Sequence, residues 1–408
     1  MQRLLKVAGI GIFLMMVLLI FPGSGVMAKT GTVNIGVIYP LSGAAGFVGQ
    51  DALRGIELAV EQINSQGGIT VKGKKYLFEI RSYDDEATPA KSVIGLRKLK
   101  DRYDIPVVVM MFSGPSLAVI ENNVDLNILW TGMAMHPDIT NSGNPLVIRH
   151  NCPITDTAKR VAKRLADFGY KQVAHLCSID DWGRGWDQNV TKVFETGGGK
   201  TIAHEWLDER TDVDFRAQLT KIKGLNADAL FIAAHDEVAA MITRQARELG
   251  LQIPLIHSEG FQQKGWELVG PKNMDGCYYT NNSGLPLTVA DYPKNWPFTP
   301  EAKAYMEKHP NIARKTYAKA FDEKYPDKTM AAYGFVSYEN QWVVNLAMEK
   351  AQTVTDPKAI RKAMYEVLPL KPELMTFGVK GYTENGDGIM TPELMEFREG
   401  IWRFPTKN

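Results

Sequence analysis

The chain has 408 residues, 47 Lys+Arg against 46 Asp+Glu, and a formal net charge of +1. A 45% hydrophobic content can fill real cores and excludes a disordered or fibrous chain, and the balanced charge excludes a dedicated nucleic-acid binder, which needs a basic face to displace counterions. Three cysteines in so long a chain exclude a disulfide-built scaffold.

The first element is an export signal. Arg3 and Lys6 precede an uncharged apolar run over 7–21, Pro22-Gly23 breaks it, and Val26-Met27-Ala28 offers a processing site, which predicts a signal peptide over 1–28. An uncleaved anchor is the competing reading, but the run is short against the roughly 20 residues of a span. No cysteine follows the run, against a lipid anchor. Removal of the segment takes away two cations and no acid, leaving a net charge of −1. Export also weighs against nicotinamide or ATP chemistry, and no cofactor is expected. Cys152, Cys177 and Cys277 all survive processing, so at least one is unpaired unless chains pair.

From residue 32 short apolar runs alternate with amphipathic stretches. Strands are expected over 33–39, 76–82, 106–111 and 128–131, with helices over 50–65, over 88–101 behind Thr88-Pro89, and from about 115. The rhythm restarts after His150: helix 156–168, strand 172–177, helix 185–196, strand 201–207, helix 214–223, strand 228–233, helix 237–249 and strand 253–257. Strands separated by helices of this length imply parallel crossovers, hence two doubly wound α/β units in series. A Pro-rich, aromatic stretch covers 284–313; helices follow over 314–324, 331–351 and 357–367, and 377–403 alternates like strands around a turn at Glu384–Gly388.

Loops at the carboxyl ends of strands are where ligands bind in such sheets. Ser42–Gly49 has glycines spaced G-x-x-G-x-x-G, without the close first pair of a dinucleotide fingerprint, although Asp84-Asp85 ends the second strand where a ribose-binding acid would stand. Its glycines fit a carboxylate-holding loop and a plain turn equally. Phe112-Ser113-Gly114-Pro115 fits an anion site and an ordinary helix start equally. Ala134 and Met135 follow the fourth strand to the same edge. In the second unit, Trp182 in Asp180-Asp181-Trp182-Gly183 could wall a ligand or pack between lobes; His235, Asp236 and Glu259 end further strands, and a carboxylate there could take an ammonium group. The seven histidines show no metal-ligand spacing and no G-x-S-x-G elbow is present, which leaves little support for an exported hydrolase.

The run VNIGVIYPLSGAAGFVGQDALRGIELAVEQINSQGGI, followed by YDDEATPAKSV, FSGPS, DDWGRGW, DFRAQLTKIK, ADALFIAAHDEVAAMITRQARELG and HSEGF, resembles the leucine/isoleucine/valine-binding proteins, the type I periplasmic receptors of ABC importers. The resemblance covers the mature chain apart from 285–313. It implies the type I periplasmic-binding-protein fold: two parallel-sheet lobes joined by three crossover segments, with 29–149 plus 282–388 in the first lobe and 150–281 plus 389–408 in the second. The Pro-rich 285–313 is then an insertion within the first lobe.

By the same resemblance, Phe112, Ser113, Gly114, Ala134 and Met135 hold a ligand carboxylate, Trp182 and His235 or Asp236 close over it, and Glu259 takes its ammonium. A family threonine is missing near Met135, a family tyrosine is Trp182, and Ala87 and Met111 stand where some relatives carry a disulfide. Phe47, Phe112, Trp130, Met135, Trp182 and Phe261 would make an aromatic cleft. The implied function is periplasmic capture of a small apolar or aromatic amino acid for an inner-membrane ABC permease, by a monomer and without catalysis. An aromatic or other hydrophobic carboxylate is the rival ligand, and service to a membrane sensor the rival role.

Overall fold

The computed structural model describes residues 30–43 and 45–404; the signal expected over 1–28 lies outside them. In chain order the first half runs β1 Gly31–Tyr39, α1 Gly46–Ser65, β2 Ile69–Val71, β3 Lys74–Asp84, α2 Pro89–Tyr103, β4 Val107–Met110, α3 Ser113–Ile120, β5 Leu129–Gly132, α4 Asp138–Asn141, β6 Val147–Arg149 and α5 Ile154–Asp167. Then come β7 Gln172–Ser178, α6 Asp181–Thr196, β8 Lys200–Leu207, α7 Arg216–Gly224, β9 Ala229–Ala233, α8 Asp236–Glu248, β10 Leu255–His257, α9 Gln263–Val269 and β11 Cys277–Asn281. The tail holds α10 Pro300–Glu307, α11 Ile312–Lys324, α12 Ala332–Ala351, α13 Pro357–Glu366, β12 Glu393–Arg398 and β13 Ile401–Arg403.

Two sheets result, ordered β2-β3-β1-β4-β5-β6 and β13-β12-β11-β10-β9-β7-β8. Each is parallel except at an edge, where β2, β12 and β13 pair antiparallel. Uninterrupted apolar strands such as Val107–Met110 and Ala229–Ala233 are buried along their whole length because helices cover both faces. Gly55 and Gly334 let α1 and α12 cross in backbone contact: a Cβ at Gly55 would lie 2.2 Å from the Gly334 carbonyl oxygen. Among the described residues no helix is long and apolar enough to cross a membrane.

Several helices begin earlier than their periodicity predicts, because the preceding loop supplies their first turn. The α6 helix starts at Asp181, with the Asp180 side chain capping the Gly183 N–H at 2.7 Å. Strands β2, β6 and β11 and helices α9 and α10 are too short to show a period. The strand-like alternation over 377–403 gives ladder only in β12 and β13, plus two isolated bridges, Tyr382 with Gly388 and Asp387 with Arg149.

The Pro-rich stretch corrects an expectation. Leu287, Tyr292, Trp296, Ala302 and Met306 pack into the core of the second sheet with Trp266, Phe397 and Trp402, not into the first lobe. Tyr292 accepts the Trp402 N–H at 2.7 Å and Trp296 donates Nε1 to the Gly400 carbonyl at 2.8 Å. Its aromatics cover β13, the strand at the edge of the second sheet.

The chain passes from the first sheet to the second after β6, returns between α10 and α11, and passes again before β12. The first and third passages are laced together: Arg149 N–H donates to Gly386 O at 2.7 Å and Gly388 N–H to Asn151 O at 2.9 Å. The fully buried Arg149 meets Asp387 at 2.9 Å.

Candidate functional site

Between the lobes lies a cleft of about 750 Å³, part of it open to solvent. On the first-lobe side β4 delivers Met111, Phe112 and Ser113. The Ser113 hydroxyl accepts the His136 N–H at 3.2 Å, so its own proton is free to donate. At the end of β5, Gly132 turns the chain at φ +151, where a Cβ would meet Met110 O at 1.8 Å, and Met133 and Met135 then line the cleft.

On the second-lobe side Trp182, in the first turn of α6, donates Nε1 to Glu259 Oε1 at 2.8 Å. Glu259 Oε2 is buried without a protein partner, and burial pushes this carboxyl above the usual carboxylate range although the Trp182 bond opposes it. His235 stands at the N-terminal end of α8, its ring stacked on Trp182 with centroids 4.2 Å apart. Its Nδ1 lies 3.1 Å from both Glu209 oxygens. Burial disfavours its charge, but Glu209 outweighs burial and moves it up to about 9.

The lobes sit closed. Phe112 meets the His235 ring edge-on at 5.5 Å across the cleft, Ala332 N–H donates to Gln263 Oε1 at 3.2 Å, and Tyr333 OH donates to Gly260 O at 3.4 Å.

Phe112, Ser113, Met135, Trp182, His235 and Glu259 therefore share the cleft; Phe47, Gly114, Ala134 and Asp236 do not line it. Phe47 packs against the first-lobe core. Gly114 lies outside the lining, where a Cβ would come within 2.9 Å of Asp181 Oδ2 of the other lobe. Ala134 is buried behind the lining, and its carbonyl accepts from Arg149 at 3.2 Å. Asp236 turns inward: its Oδ1 accepts Gln262 N–H at 2.9 Å and Gly265 N–H at 2.8 Å, holding the start of α9. Trp130 and Phe261, expected in the aromatic wall, are fully buried core residues. At the start of the glycine loop, Asp84 accepts Leu41 N–H at 2.8 Å and Ser42 Oγ–H at 2.6 Å, so the Ser42 hydroxyl is already engaged, and Ser42 does not line the cleft.

The deep end of the cleft was not legible in the sequence. Gln262, Gln263, Tyr279, Asn282, Arg314 and Phe377 line it, drawn from the start of α9, from β11 and the residue after it, from α11 and from the loop before β12. Arg314 is 2% exposed and committed: it donates to Asp291 at 2.7 Å, Ser283 Oγ at 3.0 Å and Thr376 O at 2.9 Å. Outside the cleft, His175 and His204 Nδ1 each lie 2.8 Å from Asp187 Oδ1, with Cys177 nearby. His175 Nε2 is buried without a partner, so an Nδ1-bound metal would leave its remaining N–H unsatisfied, and the cluster is better described as hydrogen bonding.

The family model described as periplasmic binding protein matches residues 32–394. The chain belongs to the periplasmic binding protein family. Among relatives of the family, the Leu/Ile/Val-binding protein homolog 3 of Brucella melitensis is 28% identical over 365 residues, covering 87% of this chain and 88% of that one. A leucine binding protein from Thermotoga maritima shares the fold at a TM-score of 0.74 and 22% identity, over 92% of this chain and 98% of that one. A solute binding protein from R. palustris, solved in complex with benzoate, has a TM-score of 0.74 and 18% identity over 92% and 95% of the two chains. The two solved neighbours share the two-lobed type I architecture that the sequence resemblance implied.

Proposed function

We propose that the protein is exported to the periplasm, captures a small apolar or aromatic amino acid by lobe closure, and presents it as a monomer to an inner-membrane ABC permease. Glu259 carries the reading. A buried carboxylate with one oxygen held by an indole N–H and the other unpartnered, in a wall of Trp182, Met133 and Met135, suits an ammonium group on an apolar body. Ligand that touches both lobes favours the closed arrangement by its differential affinity, and neither bond making nor a catalytic group is required. The relatives named for leucine, isoleucine and valine support this reading.

A second reading is an aromatic carboxylate without an amine. Met135 brings no hydroxyl to a carboxylate, burial favours the neutral form of Glu259, and the R. palustris neighbour holds benzoate. A thermal-shift screen separates the two. Stabilisation by leucine or phenylalanine but not benzoate supports the first, and the reverse pattern overturns it. With an amino acid as ligand, Glu259→Gln is expected to weaken binding roughly tenfold or more.

A further inference from the structure

The cleft lining contains two residues able to carry positive charge, Arg314 and His235. Arg314 is engaged by Asp291, Ser283 and Thr376. His235 is held but not used up. Glu209 accepts from its Nδ1 and from its backbone N–H at 3.2 Å, Trp182 stacks on one face, and Phe112 meets its edge from the opposite lobe. These contacts fix the ring and leave Nε2 without a protein partner on a side chain that is 18% exposed. Across the cleft, next to Phe112, Ser113 has a free hydroxyl proton.

We propose that His235 is the specificity-determining cation of the site: its Nε2–H, in the cleft that Ser113 lines from the other lobe, binds the carboxylate of the ligand and makes closure selective for acids over amides of the same shape. This rests on the reading of the ligand as an apolar amino acid or aryl carboxylate. It explains how a site with methionine on its first-lobe wall can still hold a carboxylate: the second lobe supplies a charge in place of a hydroxyl. An anion between Ser113 and His235 touches both lobes, so acid binding and closure are one event.

The groups acting on His235 are Glu209, Asp180 and Glu259, all of which favour its charge, against burial; the adjacent Asp236 carboxylate is turned to the start of α9. It therefore stays cationic up to about pH 9.

The test is calorimetric titration of the full mature chain with L-phenylalanine, L-phenylalaninamide and 3-phenylpropanoate, for the wild type and His235→Gln. A charge-assisted hydrogen bond predicts that the wild type prefers phenylalanine to its amide by roughly tenfold to a hundredfold, and that His235→Gln loses this preference by weakening the acid while leaving the amide within about twofold. Equal weakening of acid and amide, or undiminished preference, overturns the assignment and makes His235 only part of the wall. Glu209→Gln gives an independent readout if His235→Gln fails to fold: it keeps the imidazole, and the alkaline loss of acid binding should move down from about pH 9. An unmoved limb also overturns it. If the wild type binds none of the three probes and neither L-leucine nor L-leucinamide, which make the same acid–amide comparison on a branched body, the ligand reading fails and this assignment with it; if it binds either acid with selectivity independent of His235, only this assignment fails.

Discussion

Arg314→Met removes one side of an ion pair that ties the 285–313 stretch to α11. Arg314 and Asp291 are 2% and 1% exposed, and their charged atoms are 2.7 Å apart. Asp291 also accepts the Thr288 N–H at 2.7 Å and hydroxyl at 2.8 Å, so without Arg314 it stays in place as a buried charge with two neutral donors. The bonds to Ser283 and Thr376 are lost at the same time. Breaking a buried pair from one side costs about 3–5 kcal/mol, chiefly from the charge left behind. For a chain of this size that is a fall of roughly 4–6 °C in the thermal midpoint. Arg314→Met with Asp291→Asn removes the stranded charge, keeps an acceptor for Thr288, and should recover about 1–3 kcal/mol of the loss. Thermal and urea unfolding of the three proteins measure this. A single-variant loss below about 1 kcal/mol, or a double variant no better than the single, would refute the reasoning.

Gly55→Ala places a methyl group 2.2 Å from the Gly334 carbonyl and should lower stability by about 1–3 kcal/mol in urea unfolding; a neutral effect would mean that α1 and α12 separate freely. Burial raises Asp236 to about 7, above its ordinary value of 3.8, so the folded state binds the proton more tightly than the unfolded one and stability from this group is lost as pH rises between those values. Both backbone bonds reach Oδ1 and Oδ2 is unpartnered, so Asp236→Asn keeps both acceptor contacts. Its thermal midpoint should gain on the wild type as pH is raised from about 4 to 7, and a pH-independent difference would count against the raised value.

The architecture was legible because each half repeats strand and helix with apolar runs long enough to show their period. The lobe membership of 285–313 was not: Leu287, Tyr292 and Trp296 are spaced irregularly between prolines, and their partners Trp266 and Trp402 lie far away in sequence. In the cleft, residues that end strands were readable, since Phe112, Met135, Trp182, His235 and Glu259 stand where a strand hands over to a loop or helix. Which of two adjacent residues faces inward was not. His235 turns to the cleft while Asp236 caps α9, a choice made by the Gln262 and Gly265 N–H groups some 26 and 29 residues on. Tyr279, Arg314 and Phe377 reach the site from β11, α11 and the loop before β12, and nothing local in their sequence marks them.

The central claim is capture of an intact small molecule between the lobes. Mass spectrometry of what is released when protein purified under native conditions is denatured addresses it directly. The account predicts one retained, chemically unaltered apolar amino acid, or an aryl carboxylate on the second reading, that restores the thermal midpoint when added back to stripped protein. Recovery of a converted product, or of a polar sugar or phosphate ester that stabilises the stripped protein, would contradict it.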